Sequence, residues 1–289
     1  MDRRACLGFA LLFAAGVAIA CGRGQETVFR VAGIPDQNAS TLARRYEALT
    51  QYLSDALDVR VEYVPMVDYA ATVLAFKRGD VQMAWFGGLT SVQARRAVPG
   101  SAAIAQRPRD ARFHSKFIVQ AGLDVASLED LAGLSFTFGS ESSTSGYLMP
   151  RFFLSQAGID PDADFKREAN FSGSHDKTWA LVESGAFQVG ALNEAVWDQA
   201  VAEGRVDTAR VREFYTTPAY FDYNWTVRGD VDERFGPGFT DRVQGALLAL
   251  DQSHADILDL FSAEAFIESE NDNYRAIEEV AKTLGIIEK

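Results

Sequence analysis

The chain has 289 residues, with 40 acidic against 28 basic side chains and a formal net charge of −12. That excess repels nucleic acid and anionic membrane faces, which excludes them as partners, but local donors can still hold a small anion. With three histidines, two cysteines and no Cys/His or HExxH spacing, the sequence offers no transition-metal site and calls for no cofactor.

Arg3 and Arg4 open a basic stretch, residues 7–19 form an apolar core too short to span a bilayer, and Ala18-Ile19-Ala20 precede Cys21. This predicts a signal peptide over residues 1–20. Small residues abutting a cysteine resemble a bacterial lipobox, in which Cys21 becomes the lipid anchor. Ala18 stands where that motif usually has leucine, and a plain secretory signal is the other reading. Cys6 lies inside the signal, so the mature chain has no internal disulfide to draw on. The roughly 270 residues that remain are long for one core and predict two lobes.

Residues 28–34 alternate like a strand and stop at Pro35-Asp36. Leu42, Tyr46, Leu49, Leu53 and Leu57 then mark one face of a long helix. A strand over 59–64, a helix over 69–78 closed by Gly79, an apolar strand over 81–86 and a helix from 89 to 96 follow. This βαβαβα order implies an α/β lobe with a parallel sheet, whose ligands lie beyond the strand ends at Pro35-Asp36, 65–69 and Gly87-Gly88. A second lobe repeats the plan, with strands at 117–119, 134–138 and 187–192, a capped short helix at 127–133, an extended stretch at 165–171 and helices at 147–157 and 176–184. Gly79-Asp80-Val81-Gln82-Met83-Ala84 even returns as Gly185-Ala186-Phe187-Gln188-Val189-Gly190. Residues 225–227 read as a strand, and 239–250, 254–261 and 274–284 as helices. The organisation expected is 27–112 plus 224–289 for the first lobe and 113–223 for the second, with two crossings making a hinge beside a ligand cleft.

Between strand and helix in the second lobe runs F-T-F-G-S-E-S-S-T-S-G, residues 136–146. A helix starting there points free N–H groups and the positive end of its dipole outward, and Ser143, Thr144 and Ser145 add hydroxyl donors. That is a cradle for an oxyanion, or simply a Ser/Thr cap.

Together with Asp68-Tyr69-Ala70, Ala84-Trp85-Phe86-Gly87-Gly88, Ser115, Ser172-Gly173-Ser174-His175-Asp176 and Asn193-Glu194, this turn resembles the periplasmic phosphonate/phosphite-binding components of ABC importers. Those are two-lobed α/β solute-binding proteins (type II). The wording of 141–151 and 214–230 is most similar to a selenate-binding branch. The resemblance implies capture of a small tetrahedral oxyanion (selenate, phosphonate or phosphite) and its delivery to a permease and an ATPase. It further implies a monomer at the outer face of the cytoplasmic membrane, in contact with it only through the lipid.

By the same resemblance Tyr69 reaches the ligand from the first lobe, Ser143, Thr144 and Ser145 grip its oxygens, and His175 donates to them. Asn193 makes a further polar contact, and Asp222 corresponds to the family acid that greets an amine or an acidic proton. Phe113 departs from the pattern, lacking a hydroxyl. Lys116 is either a solvated edge residue or a charge partner for a doubly negative ligand. Asp222 and Glu194 discriminate between cargoes, because a carboxylate accepts a proton from phosphite or a phosphonate but repels fully deprotonated selenate. An enzyme lacks support, since neither a G-x-S-x-G elbow nor a Walker motif is present. A lipid-anchored sensor or adaptor without a transport role is the alternative.

Overall fold

The computed structural model describes residues 27–288; the expected signal peptide and Cys21 lie outside them. The chain begins with β1 (Phe29–Gly33), α1 (Ala39–Leu57), β2 (Val61–Tyr63), α2 (Tyr69–Arg78), β3 (Met83–Phe86), α3 (Gly88–Ala97) and β4 (Ala102–Gln106). The second lobe holds β5 (Ser115–Gln120), β6 (Phe136–Phe138), a π-helical turn (Thr144–Leu148), α4 (Met149–Gln156), β7 (Asn170–Phe171), α5 (His175–Glu183), β8 (Val189–Asn193), α6 (Glu194–Ala202) and β9 (Val211–Thr216). The chain returns through β10 (Asn224–Val227), α7 (Val231–Phe235), α8 (Phe239–Leu248), α9 (Ala255–Leu260), β11 (Ile267–Glu268) and α10 (Arg275–Thr283).

The helices start and stop for local reasons. Asn38 caps α1 by accepting from Thr41 N, and Leu42, Tyr46, Leu49, Leu53 and Leu57 bury the predicted stripe. Asp68 caps α2, and Gly79 ends it at φ +80°, a left-handed turn that suits glycine.

Two sheets form, in the orders β11-β4-β10-β3-β1-β2 and β7-β6-β8-β5-β9. β2, β1 and β3 are parallel as expected, but the returning β10 enters antiparallel between β3 and β4, so the first sheet is mixed. The repeated hexapeptide has a mechanical meaning. Gln82 trades bonds with Arg30, N to O and Oε1 to N, where the sheet partner begins, and Gln188 does the same with Ser135. Each glutamine side chain extends the parallel ladder by one bond.

The two crossings pair with each other. Phe113 and Tyr220 exchange both backbone bonds (2.8 and 2.9 Å), Thr217 N donates to Ser115 O, and Asp222 N donates to Asp110 O. The Asp110 carboxylate is held in turn by Arg107 at 2.7 Å. The lobes also meet directly: Leu148, Met149 and Ala195 of the second lobe pack into the apolar core of the first.

Candidate functional site

The ends of β1, β3 and β8 and the π-helical turn converge where the lobes face each other. Tyr69, Ser143, Thr144, Ser145, His175, Asn193 and Asp222 are each no more than 2% exposed. The second lobe reaches the first through His175 N donating to Asp36 O at 3.0 Å, and Thr144 Oγ1 accepting from Leu89 N at 2.9 Å.

The serine turn is capped from within. Ser143 Oγ accepts from Gly146 N, and the wider π-helical winding follows, with Leu148 N on Ser143 O. Gly146 is required there: a Cβ would stand 2.9 Å from Ser143 Oγ and 3.1 Å from His175 Cε1. Ser115 Oγ donates to Ser145 O at 2.8 Å and shares a 2.7 Å bond with Tyr220 OH, which ties the turn to the hinge.

Opposite lies the N-terminus of α3, whose cap residue Gly87 offers no side chain. Asp222 Oδ1 accepts from Gly88 N at 2.9 Å, and Thr144 Oγ1 takes the next N–H. Oδ2 of Asp222 has no hydrogen-bond partner. Burial raises its pKa to about 7, against the opposing pull of Gly88 N–H and the Thr144 and Ser145 hydroxyls.

His175 Nε2 lies 3.5 Å from both Tyr69 OH and Tyr223 OH. Burial lowers the ring's pKa to about 4, outweighing Asp36 and Asp176, so the imidazole is neutral. Burial, with Asp36 and Asp222 nearby, pushes the Tyr69 hydroxyl well up, which keeps it a proton donor. Asn193 caps α6 through Oδ1 and donates from Nδ2 to Tyr223 OH at 2.9 Å.

Lys116 is not brought to this cluster. Strand alternation turns it to the face opposite Ser115, where its ammonium binds Glu213 at 2.8 Å and Thr216 at 3.0 Å. Glu194 also points away and accepts from His114 N. The structure adds Asp36, Ser115, Tyr220 and Tyr223 to the cluster, residues to which the sequence reading gave no ligand role. Tyr223 stacks on Trp85 at 5.5 Å, while its hydroxyl bonds Asp36 and Asn193. The signal for Asp36 was its place at a strand's carboxyl end.

Residues 31–274 match the family model described as "ABC transporter, phosphonate, periplasmic substrate-binding protein". A Prochlorococcus marinus protein named "Probable ABC transporter phosphite binding protein PhnD1" is 45% identical over 269 residues, 90% of this chain and 91% of that one. The solved structure of PhnD1 in complex with methylphosphonate superposes with a TM-score of 0.87 at 45% identity, covering 90% of this chain and 99% of that one. A binding component of a phosphonate transporter from Pseudomonas aeruginosa shares the fold at 18% identity, with a TM-score of 0.79 over 89% of this chain and 86% of that one. The model match and the near full-length likeness agree, and the chain belongs to the phosphonate-type periplasmic substrate-binding proteins of ABC importers.

Proposed function

We propose that this protein captures a small tetrahedral oxyanion that still carries a proton, phosphite or methylphosphonate, and hands it to a permease. The observation that carries this reading is Asp222: a carboxyl 1% exposed, among hydroxyl donors, with Oδ2 free to accept. A protonated monoanion fills that acceptor, whereas selenate and sulfate set a full negative charge against it. The commitment of Lys116 to Glu213 removes the cation that a doubly negative ligand needs. Tyr69, Ser143, Thr144, Ser145 and His175 supply donors to the oxygens, with the α3 N-terminus behind them. Asn193 holds Tyr223 in place.

The same reading assigns residues 27–112 with 224–289 and residues 113–223 to lobes that close as two bodies on the hinge. It includes a lipid on Cys21, a monomeric state and no catalytic step. The likeness to PhnD1 supports the cargo class.

Calorimetric titration of the mature, unlipidated domain against phosphite, methylphosphonate, aminoethylphosphonate, selenate, selenite, sulfate and phosphate tests the reading. Phosphite or methylphosphonate binds tightest, and Ser143→Ala/Thr144→Ala abolishes the heat. Selenate or sulfate binding above both refutes it.

A further inference from the structure

A chain of hydrogen bonds behind the cluster has its direction fixed at both ends. At one end Val196 N donates to Asn193 Oδ1 at 3.0 Å, so Nδ2 is the amide atom that faces Tyr223. It donates to the Tyr223 hydroxyl oxygen at 2.9 Å. At the other end the Asp36 carboxylate only accepts, and Tyr223 OH donates to its Oδ2 at 3.0 Å. The single proton of Tyr223 is thereby committed, and His175 Nε2, 3.5 Å away, faces a lone pair. The other ring nitrogen, Nδ1, receives Asn193 N–H at 3.4 Å. These two contacts call for the tautomer with the ring's one proton on Nε2, and Tyr69 OH, also 3.5 Å from Nε2, then turns its own proton away from the ring.

Asp36 itself is 3% exposed. Its main-chain carbonyl accepts from His175 N at 3.0 Å, and the buried Arg45 guanidinium stands 3.7 Å from Oδ1. Tyr223 lies in the return crossing and Asp36 in the first lobe, whereas His175 and Asn193 belong to the second. The chain of bonds is complete only when the lobes meet. Unlike Asp222, Asp36 keeps its Oδ2 on a protein hydroxyl, so what it gives the cluster is a direction for the neighbouring protons.

We propose that Asp36 is a positioning residue of the oxyanion site: through Tyr223 it holds His175 in the Nε2–H form, so that the second lobe presents a donor to the ligand on closure. This rests on the cluster being the oxyanion site. Without the carboxylate, Tyr223 can turn its proton toward Nε2. That favours the Nδ1–H form and sets two N–H groups against each other at Asn193.

The test uses 15N-histidine protein and long-range 1H–15N NMR at neutral pH, with and without methylphosphonate. His114→Gln and His254→Gln variants assign the other two rings. The wild type shows the Nε2–H pattern at His175. In Asp36→Asn the separation between the two ring nitrogen shifts shrinks, and methylphosphonate affinity falls about tenfold. In a Tyr223→Phe background, Asp36→Asn costs little more, because both act through one bond. A wild-type Nδ1–H pattern, or losses that simply add, overturns the proposal. The wild-type spectrum needs no variant, so misfolding of Asp36→Asn leaves it decidable. If no oxyanion binds the wild type, the functional reading fails while the tautomer is still read.

Discussion

Asp222 and His175 are both buried and both titrate far from their ordinary ranges, in opposite senses. Asp222 has a folded-state pKa of about 7, above the ordinary 3.8. Its contribution to stability is present below about pH 4 and lost as pH rises through 7. His175 is depressed from 6.5 to about 4, so its contribution is present above pH 6.5 and lost as pH falls through 4. Asp222→Asn removes the first trend only. The variant therefore gains on the wild type as pH rises from about 4 to 7, by a few kcal/mol at most, and the gain then levels off. Denaturant titrations at stepped pH check this; a difference independent of pH would show that Asp222 is ionised throughout. The same substitution replaces an acceptor with an amide donor, so the affinity ratio of methylphosphonate to selenate drops at least about tenfold, read by calorimetry. Lys116→Met, by contrast, leaves methylphosphonate affinity within about twofold, since its ammonium serves Glu213.

At the scale of elements, the proposed oxyanion grip is a wide helical turn set against the bare N-terminus of a second helix, and glycines set the distance between them. A Cβ on Gly87 would lie 3.0 Å from Thr144 Oγ1 and 3.1 Å from Asp222 Oδ1. Gly87→Ala therefore keeps the fold and weakens oxyanion binding at least about tenfold, measured by calorimetry alongside the unfolding midpoint. Most of these elements were legible from periodicity, because α1, α2, α3, β1 and β3 bury regular apolar faces. The misses have particular causes. β4 reads A-A-I-A-Q, nearly without β-branched residues, and β9 is an edge strand, V-R-E-F-Y-T, whose adjacent Arg212 and Glu213 break the polar/apolar alternation. α6 follows directly on β8 through its cap, Asn193, so no loop marks its start in the sequence. Ser143, Thr144 and Ser145 stood out as a cluster in the chain. Asp36 did not, because its partner Tyr223 is 187 residues away and its role exists only in three dimensions.

At the scale of the molecule, the two crossings form a paired ribbon, and the serine turn is tied to it. Ser115 joins the carbonyl of Ser145 to the hydroxyl of Tyr220, so on the proposed closure a bend of the crossings would carry the serine turn with it. Ser115→Ala leaves that carbonyl and hydroxyl without their shared partner. It costs about 1–3 kcal/mol in stability, together with a loss of methylphosphonate affinity; unchanged affinity would separate the hinge from the grip. The position of β10 has a consequence for how the protein is made. It sits between β3 and β4, yet it follows the whole second lobe in the chain. During synthesis and export the second lobe, built from one continuous segment, has all its strands in hand first. The first lobe waits with the facing edges of β3 and β4 unpaired until residues 224–227 arrive to close the gap. Assembly order is thus written into the topology, and the interval in which those edges stand open is when the chain is most exposed to mispairing with its neighbours.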